Sequence, residues 1–422
     1  MKAGSQGRSA RCGARAGALL SICLAGGVNC TAHAQALVPL ESATLLPAQT
    51  TAPATPPGGI PVGPLIVYPA IDVAVGHNDN LFSSNINREG SAQTTISPSV
   101  KAEGRIGPHR FDVLFRLDDV RYASSPADNY ANYSVLATGD IVFSGRAGLK
   151  VRGEYRHGVD PRGSTDRTVS ATPDEYIHQG IEGVFGYGAP GAKGRIELDG
   201  AAYSRRYQNN RLATAPSDRD TTQIGATFLL RVAPKTQLLV SAQQRWIEYV
   251  VEGSTQSSTE NRYQVGAKWE ATAKTTGILK FGYLEKRFDS AGRTGFGGPG
   301  WDAVVRWSPL TYSVFDFTTS KTTNESTGTG DYLLSQLYGV SWNHAWNSRL
   351  SSAATTGWRK DAYEGTGGGR VDKTSTLGLN ATYQWQRWIR LGAAYTFTDR
   401  VSSPSTFDFT RHLWMFTVGA TL

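Results

Sequence analysis

The sequence predicts an all-β protein, a transmembrane antiparallel up-and-down β-barrel of about 18 strands. Three observations carry that expectation. In "LKVRGEYRH" (149–157), Lys150, Arg152, Glu154 and Arg156 alternate with Leu149, Val151, Gly153 and Tyr155. Successive strand side chains point to opposite faces, so one face is apolar and the other charged. Second, such segments are joined in turn by short turns and longer polar loops, as in outer-membrane barrels. Third, aromatics gather near strand ends (Tyr383 with Trp385, Trp342 with Trp346, Tyr249 with Trp246), the pattern of interfacial girdles.

Residues 1–34 read as a signal peptide. Lys2, Arg8, Arg11 and Arg15 precede the apolar "GALLSICLAGGV", and "AHA" at 32–34 supplies a small-residue cleavage site. Cys12, Cys23 and Cys30 all fall inside it, so the mature chain is expected to hold no disulfide, thiol nucleophile or thiolate metal site. Its removal lowers the formal charge from +8 to +4, and the remaining basic residues form no run, which gives no case for nucleic acid. Residues 35–64, rich in proline and poor in charge, are predicted to be a disordered periplasmic leader.

Residues 65–422 are the predicted barrel. Short turns centre near 107–109, 144–146, 189–192, 233–235, 273–274, 308–310, 346–348 and 386–388, and eight turns imply nine strand pairs. A propeller blade would fit the period of about 40 residues but not strands this long. The longer connections include 77–92, 159–174, 208–219 and 364–372. "YQVGAKWEA", "LGLNATYQW" and "IRLGAAYTF" each set an apolar face against a polar one. A soluble sandwich would bury the apolar faces, whereas the turn asymmetry favours lipid outside and charge inside. In "HLWMFTVGATL", Trp414, Phe416, Val418, Ala420 and Leu422 share one face, which resembles the C-terminal signal read by barrel-assembly machinery, with Leu in place of the common Phe.

Strand parity then nominates the lumen wall: Arg116, Asp118, Lys150, Arg152, Glu154, Arg156, Arg195, Glu197, Asp199, Lys268, Glu270, Lys280, Arg359, Asp361 and Arg390, with Tyr203 as a surface on which a sugar could stack. Nine of the charged positions are basic and six acidic, a slight excess that would favour anions; the plain alternative is that they pair and keep the lumen wet. Eighteen strands give a cylinder about 35 Å across and a bore of about 15 Å. Loops of about 16 residues are expected to be too short to narrow it much.

Catalysis finds no motif. His77, His109, His157, His178, His344 and His412 form no HExxH or other metal-ligand spacing, and no G-x-S-x-G elbow occurs. No enzyme activity, cofactor or metal is expected. Asn and Asp in "GHNDNLF" (76–82) lack the spacing of a calcium loop and suit a turn.

Following "YPAIDVAV", the residues Gly76, His77, Asp79, Asn80, Leu81 and Phe82 resemble the first strand and loop of a β-barrel porin family associated with exopolysaccharide-synthesis operons. The resemblance implies an outer-membrane channel of a Gram-negative bacterium that exports an exopolysaccharide by passive guidance. It also implies a periplasmic polysaccharide-export protein as partner, beside lipopolysaccharide and outer-membrane lipid. The alternatives are a general diffusion porin for small solutes and an outer-membrane enzyme or structural barrel.

Overall fold

Alternating sequences become strands because every backbone group must find a partner where water is absent, and only a helix or a closed sheet achieves that. No helix among the described residues is long and apolar enough to cross a membrane. The computed structural model describes residues 58–422 apart from 168–169, 190 and 273, and the side chains of 271 and 272 are likewise left aside. The predicted signal peptide and residues 35–57 of the leader lie outside the described residues.

Among the described residues the first element is a short strand, β1 (Ile60–Val62), that turns back at Gly63 and pairs with the next strand from Leu65 to Val67. Part of the expected leader is therefore ordered: Ile60 and Val62 continue the apolar pattern, and Gly63 takes the left-handed conformation (φ 58°) that the tight turn requires. Eighteen strands of 13 to 16 residues follow. They are β2 (Leu65–Asn78), β3 (Ser91–Ile106), β4 (His109–Tyr122), β5 (Tyr130–Val142), β6 (Ala147–Asp160) and β7 (Asp174–Tyr187). Next come β8 (Gly194–Tyr207), β9 (Arg219–Ala233), β10 (Thr236–Tyr249), β11 (Ser258–Thr272), β12 (Thr275–Phe288) and β13 (Phe296–Leu310). The last are β14 (Ser313–Glu325), β15 (Tyr332–Ala345), β16 (Leu350–Glu364), β17 (Val371–Gln386), β18 (Ile389–Ser402) and β19 (Phe409–Thr421).

Each strand pairs antiparallel with the next, and β19 returns to β2 from Leu413 opposite Asn78 to Thr421 opposite Ala70. The fold is a closed 18-stranded antiparallel barrel, as expected. The short turns lie where sequence placed them, except that the β13–β14 turn falls at 311–312 rather than 308–310.

The outward face is apolar and exposed: Val73, Val75, Phe281, Phe416 and Val418 are examples. The expected assembly signal forms that face of β19, with Trp414, Phe416 and Val418 outward. Trp342 and Trp346 meet His344 at the short-turn rim, an aromatic girdle as predicted. Tyr249 is a correction. It is 8% exposed and donates to Glu325 (2.7 Å) inside the barrel, because it stands three positions from Trp246 and an odd spacing reverses the face.

Closure of the first and last strands is held by side chains as well as backbone. Arg390 Nη2 donates to Asp72 Oδ1 (2.6 Å) over Gly419, where a Cβ would stand 2.2 Å from the carboxylate. Gly76 lies still closer to β19, since its Cβ would sit 1.8 Å from the Trp414 carbonyl oxygen. The chain then continues the seam beyond the ladder. Asp79 Oδ1 accepts from the His412 N–H (2.6 Å), and fully buried Asn80 donates through Nδ2 to the carbonyls of Ser84 (2.7 Å) and Thr410 (2.8 Å). The Asn80 Oδ1 accepts from the Ser84 N–H (3.0 Å). Leu81 packs with Val120, Tyr122, Tyr130 and Val159, and Phe82 rests on that cluster. The "GHNDNLF" residues thus form a closure clasp.

Candidate functional site: a charged lumen under a bridged mouth

Parity places the predicted lumen residues on the inner wall, where carboxylates meet most of the basic ones. Arg116 pairs with Asp118 (2.7 Å), Arg152 with Glu154 (3.2 Å) and Glu182 (3.6 Å), and Arg156 with Glu154 (2.6 Å). Arg195 pairs with Glu197 (2.7 Å), Arg359 with Asp361 (2.8 Å), and Lys150 loosely with Asp140 (3.9 Å). Asp199 accepts from Gln223 (3.3 Å) and Gln243 (3.4 Å). Lys280 stands opposite Asp302 in the β12–β13 register, and Lys268 lies on the same inward phase. Residues two apart on one strand share a face, which is why Arg-x-Asp and Arg-x-Glu recur as intrastrand pairs. The expected positive excess is thereby largely neutralised at the wall.

Two positions differ from expectation. Glu270 is exposed beyond the point where the β11–β12 register breaks after Trp269, so it stands at the short-turn rim and not in the bore. Tyr203 is inward, but its hydroxyl donates to Glu182 (2.7 Å) and His178 stacks on its ring (5.9 Å between centroids), so one ring face is already occupied.

The strongest inward cluster was not anticipated. Lys286, with no side-chain exposure, donates to Glu260 (3.1 Å) and Glu325 (2.6 Å). Arg245 also pairs with Glu260, Thr323 donates to Glu260 (2.7 Å), and Arg262 donates to Thr322 (2.9 Å). Thr322, Thr323 and Glu325 reach this wall because the tip of β14 leaves β13. The β13–β14 ladder ends at Trp301 opposite Lys321, and Phe296–Gly300 ("FGGPG") has no β14 partner. Pro299 offers no N–H, and Gly297, Gly298 and Gly300 add no packing side chain, so this stretch makes a poor ladder. The freed tip turns in over the lumen.

A second element spans the mouth from the other side. Residues 161–167 of the β6–β7 loop extend across the long-loop rim. Gly163 packs so tightly that its Cβ would lie 2.0 Å from the Phe82 carbonyl oxygen, and Arg162 pairs with Asp128 in the β4–β5 loop. Asp166 is bonded by Arg370 Nη1 (2.6 Å) from the β16–β17 loop, and its backbone lies against Gly328 of the β14–β15 loop. The β6–β7 and β16–β17 hairpins stand eight to ten strands apart in a ring of eighteen, which is on opposite sides.

Burial fixes this bridge. Arg167, 4% exposed, binds Asp160 (3.0 Å) and Asp174 (2.9 Å) and holds the loop to its own strand ends. Arg370, 3% exposed, also binds Asp372 and lies over the Phe407 ring (3.6 Å). Desolvation works against charge on Arg370, but the Asp372 bond and the nearby Asp166 outweigh it and hold its pKa above the usual value. By length alone the loops are expected to be too short to narrow the bore much. The structure differs: six residues from Asp160 to Asp166 reach at most about 20 Å, and loops from the far rim come inward to meet them. Glu260, Arg262 and Lys286 could have been found by extending the parity of Lys268 and Lys280. The loop contacts had no sequence signal.

The family model described as "Putative beta-barrel porin 2" matches residues 52–422. No curated protein matches the chain. Among solved structures, it is similar to the outer membrane protein opdK from Pseudomonas aeruginosa, at 12% identity over 84% of this chain and 99% of that one, with a TM-score of 0.49. It is also similar to a BenF-like porin from Pseudomonas fluorescens Pf-5 (10% identity, 85% and 99% covered, TM-score 0.48). OccAB3 from Acinetobacter baumannii matches at 11% identity, with 86% and 100% covered and a TM-score of 0.46.

Proposed function

For a chain that belongs to this β-barrel porin family, we propose passive diffusion of small polar solutes across the outer membrane of a Gram-negative bacterium. The long-loop rim faces outward from the cell and the short turns face the periplasm. The observation that carries the reading is the contact of Asp166 with Arg370, which joins loops from opposite sides of the barrel. A path bridged by buried ion pairs suits solutes that pass between fixed groups. Export of an exopolysaccharide, the first expectation from sequence, asks instead for a bore through which a polymer can thread. A periplasmic export partner belongs to that export reading.

Paired charges of both signs on the wall would keep the path hydrated while giving weak selectivity. The test is swelling of liposomes holding the purified full-length protein, with sugars of graded size. Monosaccharides should enter readily, and rates should fall steeply between di- and tetrasaccharides. Equal entry of long oligosaccharides, or no entry of any sugar, would overturn the reading.

A further inference from the structure

We propose that the outward face of β14, β16 and β17 near the long-loop rim binds the phosphorylated head group of an outer-leaflet glycolipid. The inference rests on the outer-membrane placement given above. Cross-strand register sets Trp301, Lys321, Gln336, Lys360 and Lys373 side by side in one row. Lys360 and Lys373 are directly opposite each other, an arrangement of like charges that destabilises a sheet.

Several outward charges elsewhere along this rim are matched. Arg121 pairs with Asp119 (2.8 Å), His157 approaches Glu175 (3.6 Å), Arg206 pairs with Asp220 (2.7 Å), and Arg287 with Glu285 (2.7 Å). Among the described residues, Lys360 and Lys373 make no ion pair or hydrogen bond, and Lys321 makes neither but lies near the rings of Phe296 (5.5 Å) and Trp301 (5.7 Å). Three lysines without an ion-pair partner, two of them facing each other, leave a place for an external anion.

Depth selects which anion. Strands of 13 to 16 residues tilted about 40° rise roughly 35 Å along the barrel axis, against an apolar band of about 25 Å. Their ends therefore stand about 5 Å beyond the band on each side. Lys321 and Lys360 lie four residues below the ends of β14 and β16, and Lys373 is the third residue of β17. Their flexible stems can lie along apolar surface while the ammonium groups rise to the head-group level. Phosphates on a sugar, anchored by acyl chains against Leu377 and Leu379 of the same face, meet both requirements.

The test is native mass spectrometry of the full-length protein in detergent with three probes: bis-phosphorylated lipid A, its dephosphorylated form and inorganic phosphate. The wild type should retain the phosphorylated lipid, and Lys360→Gln/Lys373→Gln should bind it about 25-fold more weakly, each lysine contributing about fivefold. Lys360→Arg/Lys373→Arg should retain it. Should the double variant fold poorly, Lys360→Gln alone should show the fivefold loss. Equal binding by the variants, equal binding of dephosphorylated lipid, or equally tight inorganic phosphate would each overturn the proposal. Conductance of the double variant should match the wild type, so a failure here is separable from a failure of the porin reading.

Discussion

Arg370→Ala is expected to raise single-channel conductance in planar bilayers at least about twofold. Arg370 bonds Asp166 on the opposite loop and Asp372 at the start of β17, with hardly any solvent contact. Removing it leaves two carboxylates without their partner in a dry place, a change that costs roughly 3–5 kcal/mol when a buried pair is broken from one side. The β6–β7 loop can relieve that cost by withdrawing into water, and the mouth then opens toward the full bore. Asp166→Ala should act in the same direction but less, because Asp372 still compensates Arg370 and only one contact is lost. The barrel itself should be unaffected, since these residues stand above the ladders; unchanged heat-modifiable gel mobility would show that. Conductance identical to wild type in Arg370→Ala, with the barrel intact, would mean that the bridge does not limit the path and would remove the main support for a small-solute porin.

How far the sequence reached follows from the range over which its signals act. Strand parity is local, so Leu149 against Lys150, or Trp414 and Phe416 on one face, reveals direction without knowledge of the rest of the chain. Turn and strand counts are sums of such local signals, and the closed 18-stranded sheet was therefore legible. Intrastrand pairs such as Arg195 with Glu197 are legible for the same reason. The Asp166–Arg370 bond links residues 204 positions apart, in loops of ordinary polar composition. Nothing in either loop encodes the other; only closure of the barrel brings them together. The inward tip of β14 is intermediate: "FGGPG" marks a weak strand edge, but where the freed segment goes depends on Glu260 and Lys286 waiting on the inner wall.

The clasp at residues 76–82 bears on a larger energy. In a barrel the first and last strands must pair over the longest separation in the chain, and until they do both present open edges in the membrane. Gly76→Val would force a Cβ to within 1.8 Å of the Trp414 carbonyl oxygen, which no rotamer can relieve, so the strands must part at the seam. That variant is expected to yield no folded barrel at all. Asn80→Ala is the graded version. It removes two donated bonds and one accepted bond from a side chain with no solvent exposure, leaving the Ser84 and Thr410 carbonyls and the Ser84 N–H to find new partners. A loss of about 2–4 kcal/mol follows, read as an earlier midpoint in urea unfolding of the detergent-solubilised barrel. Asn80→Asp should fare no better despite its matching shape, because a carboxylate would face two carbonyl oxygens that previously accepted bonds. His77→Ala, whose side chain makes none of these bonds, should leave the midpoint near that of the wild type. If Asn80→Ala and Asn80→Asp both unfold where the wild type does, Asn80 adds nothing to a seam held by its backbone ladder, the Arg390–Asp72 pair and the Asp79–His412 bond, and its place in the motif at 76–82 would need another explanation.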